Sequence, residues 1–276
     1  QVGIGYQWSY SPVNLRARAD VQAGLYGRPL TLRTCVAWPR SLAYFGRSNW
    51  AGKLHLADGQ PVFDSVLNNA TAHYLHNMLF FLGRGVHDAV KPDRISARLL
   101  RIQPIESFDT AFVRMECDWP GGAPVILLMA SSHSTVRQAG PDLDYQFERG
   151  SLTVRDGRIS GVLTQDGNTR TLDYGLILRD DSVIDKIQAL LAVVRSGQRP
   201  VCDVRTALAQ TDVIARLHET VPIEDVPTEL IRRDRHDEAD WLMADGLDEA
   251  LERFVATGTV PSEPLTELLA SRSGLL

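Results

Sequence analysis

Between residues 95 and 172 the chain repeats short runs of β-branched, aromatic and aliphatic residues, broken by pairs suited to left-handed backbone. Segments 95–102, 111–118, 124–131, 145–148, 151–154, 161–165 and 169–172 read as strands. Gly121-Gly122, Asp156-Gly157 and Asp166-Gly167 stand between them at hairpin positions, where φ > 0 is wanted at no steric cost. Consecutive hairpins imply a mainly antiparallel sheet. The flanks change period. Residues 64–82 place Val66, Ala70, His73, Asn77 and Phe81 near one helical face, closed by Gly83 and Gly85. Segments 183–196, 204–219 and 237–257 also read as helices. Upstream, residues 1–8 are strand-like, Ser11-Pro12 starts a helix with a Leu15, Ala19, Val21 and Leu25 stripe, and residues 30–38 form a second strand ended by Pro39. Segregated helices and hairpins predict an α+β fold: a large open, mostly antiparallel sheet with helices on one face, plus C-terminal helices. The other face, with Leu99, Val113 and Leu127, is expected to lack helices and to pair with a second copy of the chain.

Composition excludes several functions. The chain has 276 residues, and its 29 Lys and Arg against 34 Asp and Glu give a net charge of −5. A binder that tracks a phosphate backbone needs a basic excess on one face. The one basic cluster, Arg232, Arg233 and Arg235, is diluted by Asp234, Asp237 and Glu238, so no nucleic acid is expected. No apolar run approaches the roughly 20 residues a bilayer-spanning helix requires, and no membrane partner is expected. The cysteines, Cys35, Cys117 and Cys202, are odd in number, distant and without CxxC spacing. That excludes a zinc ribbon and a disulfide framework and fits a reducing, cytoplasmic setting. The first residue is Gln1 rather than Met, as expected of a chain that continues something upstream.

Three stretches carry candidate chemistry. Gly3-Ile-Gly5 begins like a dinucleotide fingerprint, but Trp8 occupies the place of the third glycine and the helix starts too late. Asn68, Asn69, His73, His76 and Asn77 crowd the 64–82 segment, at spacings that bring several onto neighbouring turns. Such a group suits a substrate site. The alternative is a hydrogen-bonded polar seam between this helix and the sheet, because buried amides and imidazoles need partners. His73-x-x-His76 offers two metal ligands with no third nearby, so no metal is assigned. Trp38-Pro39-Arg40 and the 44–50 loop combine aromatic faces with guanidinium groups, suited to a hydroxylated or carboxylated small molecule or to a self-plugged loop. His133 among Ser131, Ser132 and Ser134 lacks a nucleophile elbow and reads as a polar strand end. His55, His87, His218 and His236 read as surface or capping residues.

In order and spacing, the chain resembles the C-terminal portion of Gfo/Idh/MocA family oxidoreductases. Residues 2–8 look like the last strand of a nucleotide-binding domain. Pro12 through Gly24-Leu25-Tyr26-Gly27 looks like the linking helix and its glycine turn. Residues 59–83 look like a family helix with an apolar-glycine tail, and residues 182–200 like the late helix beside the sheet. The resemblance covers residues 1–220. It implies three parts: residues 1–10 as the last strand of a dinucleotide-binding domain outside the chain, 11–220 as a substrate and oligomerisation domain, and 221–276 as a helical extension. In the family this helix carries an Asp-x-x-x-His pair; His73 falls on the histidine and Asn69 on the aspartate position. The family's Glu-Lys-Pro segment, whose lysine acts at the substrate hydroxyl, has no match. The resemblance implies an NAD(P)-dependent dehydrogenase of a sugar or polyol, with NAD or NADP bound in the intact parent and none by this chain alone. Catalysis would fall to His73 and Asn69, and substrate binding to Trp38, Arg40, Asn68, His76 and Asn77. The alternative is a non-catalytic binding or oligomerisation module retaining the same sheet.

Overall fold

The computed structural model describes residues 2–177, 182–236 and 238–270. A 3-10 turn, Gln7–Tyr10, precedes α1 (Pro12–Gln22), β1 (Pro29–Ala37), α2 (Leu42–Phe45) and α3 (Ala72–Phe81). Seven strands follow: β2 (Arg94–Arg101), β3 (Thr110–Cys117), β4 (Val125–Ser132), β5 (Ala139–Phe147), β6 (Gly150–Arg155), β7 (Arg158–Gln165) and β8 (Asn168–Leu176). Then come α4 (Ser182–Ser196), α5 (Val204–Thr220), β9 (Ile223–Asp225), β10 (Arg232–His236), β11 (Ala239–Met243), α6 (Leu247–Thr257) and α7 (Leu265–Leu268). Nine strands form one sheet in the order β8-β7-β6-β5-β1-β4-β3-β2-β9, while β10 and β11 pair separately. The α+β class and the open, mostly antiparallel sheet are as the sequence predicts.

The glycine turns act as expected. Asp156, Gly157, Asp166 and Gly167 all have φ between 50° and 75°, which closes β6–β7 and β7–β8 with the twist their strands need. One join behaves differently. No such pair separates β4 from β5, and β1 enters between them, parallel to β4 and antiparallel to β5. The expected continuous meander is therefore two meanders flanking an early strand.

The first sheet face packs Leu32, Val36, Leu99, Val113, Leu127, Tyr145 and Leu152 under α3 and its neighbours. Leu99, Val113 and Leu127 thus face the helix layer, not a free surface. The second face is not free of helices either. Leu247, Ala250, Leu251 and Phe254, spaced at i, i+3, i+4 and i+7, seat α6 on Leu100, Phe112, Leu128 and Ala130. The 237–257 segment is accordingly not one helix: its first part forms the β10–β11 hairpin, whose pairs run from Arg232–Met243 to His236–Ala239, and residue 237 lies outside the described residues. What stays open on this face is the β5–β8 half, with Asp142, Asp144, Thr153 and the exposed Val162.

Residues 2–8 form no strand. Gly3 makes a single bridge to Asp203, and the chain then turns so that Trp8 and Tyr10 are buried. Burying two large aromatic rings outweighs the short edge pairing that a strand here would gain. The expected α1 stripe also shifts. Its buried residues are Asn14, Ala17 and Arg18, while Ala19 is exposed. Helix α3 starts at Ala72 rather than 64, with residues 66–71 in turns. It is buried almost all round, so a one-sided periodicity does not describe it.

Arg18 secures that helix. Its guanidinium is buried and stacks 3.7 Å from the Phe80 ring centre. It donates to the carbonyls of Phe80, Gly85, Val86 and Asp88 at 2.6–3.1 Å, capping the end of α3 and the loop beyond. Gly83 lies in that loop, where a Cβ would sit 2.1 Å from the Asp88 carbonyl oxygen. Burial lowers the Arg18 pKa to about 10, partly offset by Asp88, so it stays charged at neutral pH. Replacing Arg18 with Met removes every one of these charge-assisted bonds and strands the carbonyls. Urea unfolding should show a loss of about 3 kcal/mol or more.

Asp109 is a second buried anchor. It accepts from the Ile102 and Gln103 N–H groups at 2.7 Å each and from the Thr110 hydroxyl at 2.8 Å. Burial nevertheless pushes its pKa from 3.8 up to about 6. A carboxyl whose folded pKa is raised contributes stability that is complete below pH 4 and lost as pH rises through 6. Stability measured from pH 4 to pH 7.5 should therefore fall by roughly 2–3 kcal/mol more in the natural chain than in Asp109→Asn.

Candidate functional site

His73 is the one residue of α3 that is only partly buried. Its Nδ1 is buried without a partner, and its ring meets Tyr6 edge-on at 5.4 Å. Tyr6 in turn stacks on His76 at 4.2 Å and donates its hydroxyl to Gln210 Oε1 at 3.0 Å. Gln210 donates to the Leu67 carbonyl and to Asn68 Oδ1, both at 3.2 Å, while the Asn68 amide donates to the carbonyls of Val62 and Phe63. The N-terminal turn, the 62–69 loop, α3 and α5 thus meet through Tyr6 and Gln210.

Electrostatics keep both imidazoles of α3 neutral. His73 is lowered from its ordinary value by burial and by the nearby Lys186 ammonium. His76 is pushed down to about 3, first by burial and then by His73 and Arg18. A neutral, partly accessible imidazole is a ready proton acceptor at pH 7. His76 lacks that access: it is 1% exposed, with Nε2 3.1 Å from Ser9 Oγ and 3.5 Å from Cys202 Sγ. Asn77 is also 1% exposed, accepting from Asn14 at 2.9 Å. These two side chains are sealed into the seam between α3, α1 and the N-terminal turn, away from any position where a substrate could touch them.

Asn69 does not turn toward His73. It precedes α3, so the helical spacing between the two is not realised, and its amide donates to Asp64 Oδ1 at 2.9 Å. Asp64 Oδ2 accepts from the Gly52 N–H at 2.6 Å; burial raises this carboxyl against the pull of those bonds and of Arg47. The pair therefore pins the 44–52 loop to the residues leading into α3.

Trp38 links the two regions. Its ring stands edge-on to Tyr74 of α3 at 5.6 Å, Tyr74 meets Trp8 at 5.0 Å, and the Trp38 indole donates to the Gly140 carbonyl at 3.0 Å. Arg40 lies 5.6 Å from the Trp38 ring and 5.1 Å from that of Tyr44. Behind them His133, with Nδ1 2.8 Å from the Trp38 carbonyl oxygen, is pushed down to about 4 by burial, partly opposed by that contact, with Arg40 and Arg47 lowering it further. His218, expected at the surface, is instead half-buried and stacked on Phe63 at 4.6 Å.

The structure thus links Asn68 to His73 through Gln210 and Tyr6 and joins Trp38 to Arg40, while Asn69 is tied to Asp64 at the 44–52 loop. It adds Tyr6, Gln210 and Lys186, which lie on segments distant in sequence or read as other elements, and Asp64 and Arg47, which lie within the 64–82 segment and the 44–50 loop. Among the described residues no group of three or more His, Cys, Asp or Glu side chains is placed to hold a metal ion. Gly3 of the Gly3-Ile-Gly5 run packs against the Leu190 side chain, where a Cβ would sit 2.3 Å from Cδ2. The cysteines are free, and no helix among the described residues is long and apolar enough to cross a membrane.

No protein-family model and no curated protein matches the chain. Solved structures do. The WlbA dehydrogenase from Bordetella pertussis, in complex with NADH and UDP-GlcNAcA, is 15% identical with a TM-score of 0.58, over 80% of this chain and 60% of that one. UDP-N-acetylglucosamine 3-dehydrogenase GnnA from Acidithiobacillus ferrooxidans is 16% identical with a TM-score of 0.56, over 79% and 60%. A super-repressor mutant of Gal80p from Saccharomyces cerevisiae is 12% identical with a TM-score of 0.57, over 79% and 62%. The chain therefore spans about 60% of the length of the structures it matches. Over that matched part, the chain shares the fold of these structures.

Proposed function

We propose that the chain is the substrate-binding and oligomerisation part of an NAD(P)-dependent oxidoreductase acting on a sugar, polyol or related hydroxylated small molecule. The observation that carries this reading is His73: a neutral, partly accessible imidazole on an otherwise buried helix, within a fold shared with sugar-nucleotide dehydrogenases. Oxidising a secondary alcohol releases a hydride and a proton. The dinucleotide, held by a part of the parent protein outside this chain, is the hydride acceptor. His73 takes the hydroxyl proton, and the edge-on Tyr6 and the α3 backbone fix its ring. Trp38 and Arg40 shape the mouth, with Asn68 and Asn69 holding the adjoining loop. The assembly role falls to the open β5–β8 half of the sheet, and sedimentation of the intact protein should read a homo-oligomer; a clean monomer would overturn that role.

A non-catalytic module is the second reading. It is favoured by the Asn69–Asp64 bond, which leaves His73 Nδ1 without the orienting partner that the resemblance implies. Gal80p, a repressor by its description, shares the fold. Turnover decides between the two. In the intact parent, His73→Gln should lower turnover by roughly 10²-fold or more and remove an acid limb lying below the ordinary histidine range. Unchanged turnover and pH profile would return His73 to a packing role. Calorimetric titration of the chain alone should show neither NAD nor NADP binding tighter than about 100 μM, worth only some 5–6 kcal/mol.

A further inference from the structure

Several arginines elsewhere on the surface sit on carboxylates: Arg94 on Glu116 and Asp118, Arg101 on Asp225, Arg158 on Asp173. Arg40 and Arg47 make no such ion pair among the described residues. Arg47 donates to the Tyr44 carbonyl at 2.6 Å and stacks 3.7 Å from the Tyr44 ring centre and 4.9 Å from that of Trp50. Arg40, 5.1 Å from the same Tyr44 ring, donates only to the Pro39 carbonyl at 3.4 Å, and its Nε is buried without a partner. Two guanidinium groups thus flank one tyrosine ring, in a chain of net charge −5, with much of their donor capacity unused. His133 behind them stays uncharged, so the local positive charge is theirs alone. Asp64, whose carboxyl feels the Arg47 charge, is already committed to Gly52 and Asn69. The ring stacking orders both side chains in advance, which lowers the entropic cost of closing them on an anion.

We propose that Arg40 and Arg47, ordered on Tyr44 between Trp38 and Trp50, form an anion subsite that selects a sugar bearing a carboxylate or phosphoryl group. The inference rests on the sugar reading given above and names its substrate class. The aromatic rings cover the sugar, and the paired guanidiniums hold its charge through two-pronged hydrogen bonds. Both anions present the oxygens such bonds require, so the test carries one arm for each.

The chain is titrated at low salt with D-glucose, D-glucuronate, D-glucose 6-phosphate and inorganic phosphate, with binding read by NMR at the Trp38 and Trp50 indoles. Glucuronate or glucose 6-phosphate should bind at least 10-fold more tightly than glucose, and the preferred one identifies the anion. In Arg47→Gln that ratio should collapse toward 1, and inorganic phosphate should bind about 10-fold more weakly. Arg47 is exposed, so thermal unfolding should be unchanged and a folding defect is separable from lost recognition. Arg40→Gln should act in the same direction. Equal affinity for charged and neutral sugars would overturn the subsite while leaving the sugar reading in place. Phosphate binding that weakens in Arg47→Gln while no sugar binds would uphold the subsite and overturn the sugar reading. Phosphate affinity unchanged in both variants would overturn the subsite.

Discussion

A helix buried on every side can form only if its ends find partners, because the last turn of any helix leaves carbonyl groups unbonded. Here one side chain supplies them. Arg18 crosses from α1, lies on the Phe80 ring and donates to Phe80 and to the three loop carbonyls beyond it. A buried charge is costly by itself; surrounded by carbonyl oxygens it becomes the fixed point between α1, α3 and the loop to β2. With that end held, the start of α3 can lie beside the N-terminal turn, with His73 at the edge of solvent.

The polar residues around α3 divide by access rather than by type. His76 and Asn77 serve the interior, where Ser9, Cys202 and Asn14 occupy their bonding positions. One turn earlier, His73 keeps an unpartnered nitrogen and a partly open face. Both imidazoles are held neutral, mainly by burial. Charge is displaced instead to the rim, onto Lys186 on one side and Arg40 and Arg47 on the other. The Trp8–Tyr74–Trp38 wall joins the two sides. The neutral imidazole of His73 and the rim charges thus lie on different elements, which lets one vary without altering the other.

The sheet itself makes two environments from one set of strands. Alternation sends Leu127 and Met129 toward α3 and Leu128 and Ala130 toward α6. The centre is therefore covered on both faces, as its near-continuous apolar β4 requires. The β5–β8 half alternates with polar residues and keeps one face open. An interface between copies would use this polar half, since the apolar centre is already occupied.

Much of this was legible in the amino acids alone. Asp156-Gly157 and Asp166-Gly167 determine their hairpins locally, because only a few residue pairs tolerate two successive positive φ angles. The α+β class and the starts of α1 and β1 follow from similarly short-range rules. The remainder depended on partners far along the chain. Nothing near β1 announces that it parts β4 from β5, and nothing near residue 247 announces which sheet face α6 will cover. Asn69 bonds Asp64 rather than His73 because its backbone lies outside the helix, and helix boundaries are settled by packing. Burial selected Asn14 and Arg18 over Leu15 and Ala19 because hydrogen bonds to α3 and the loop beyond it offset the cost of burying polar groups. Local stereochemistry determined the turns and the class; long-range packing and hydrogen-bond satisfaction decided which side chains face solvent, and so where a substrate can be met.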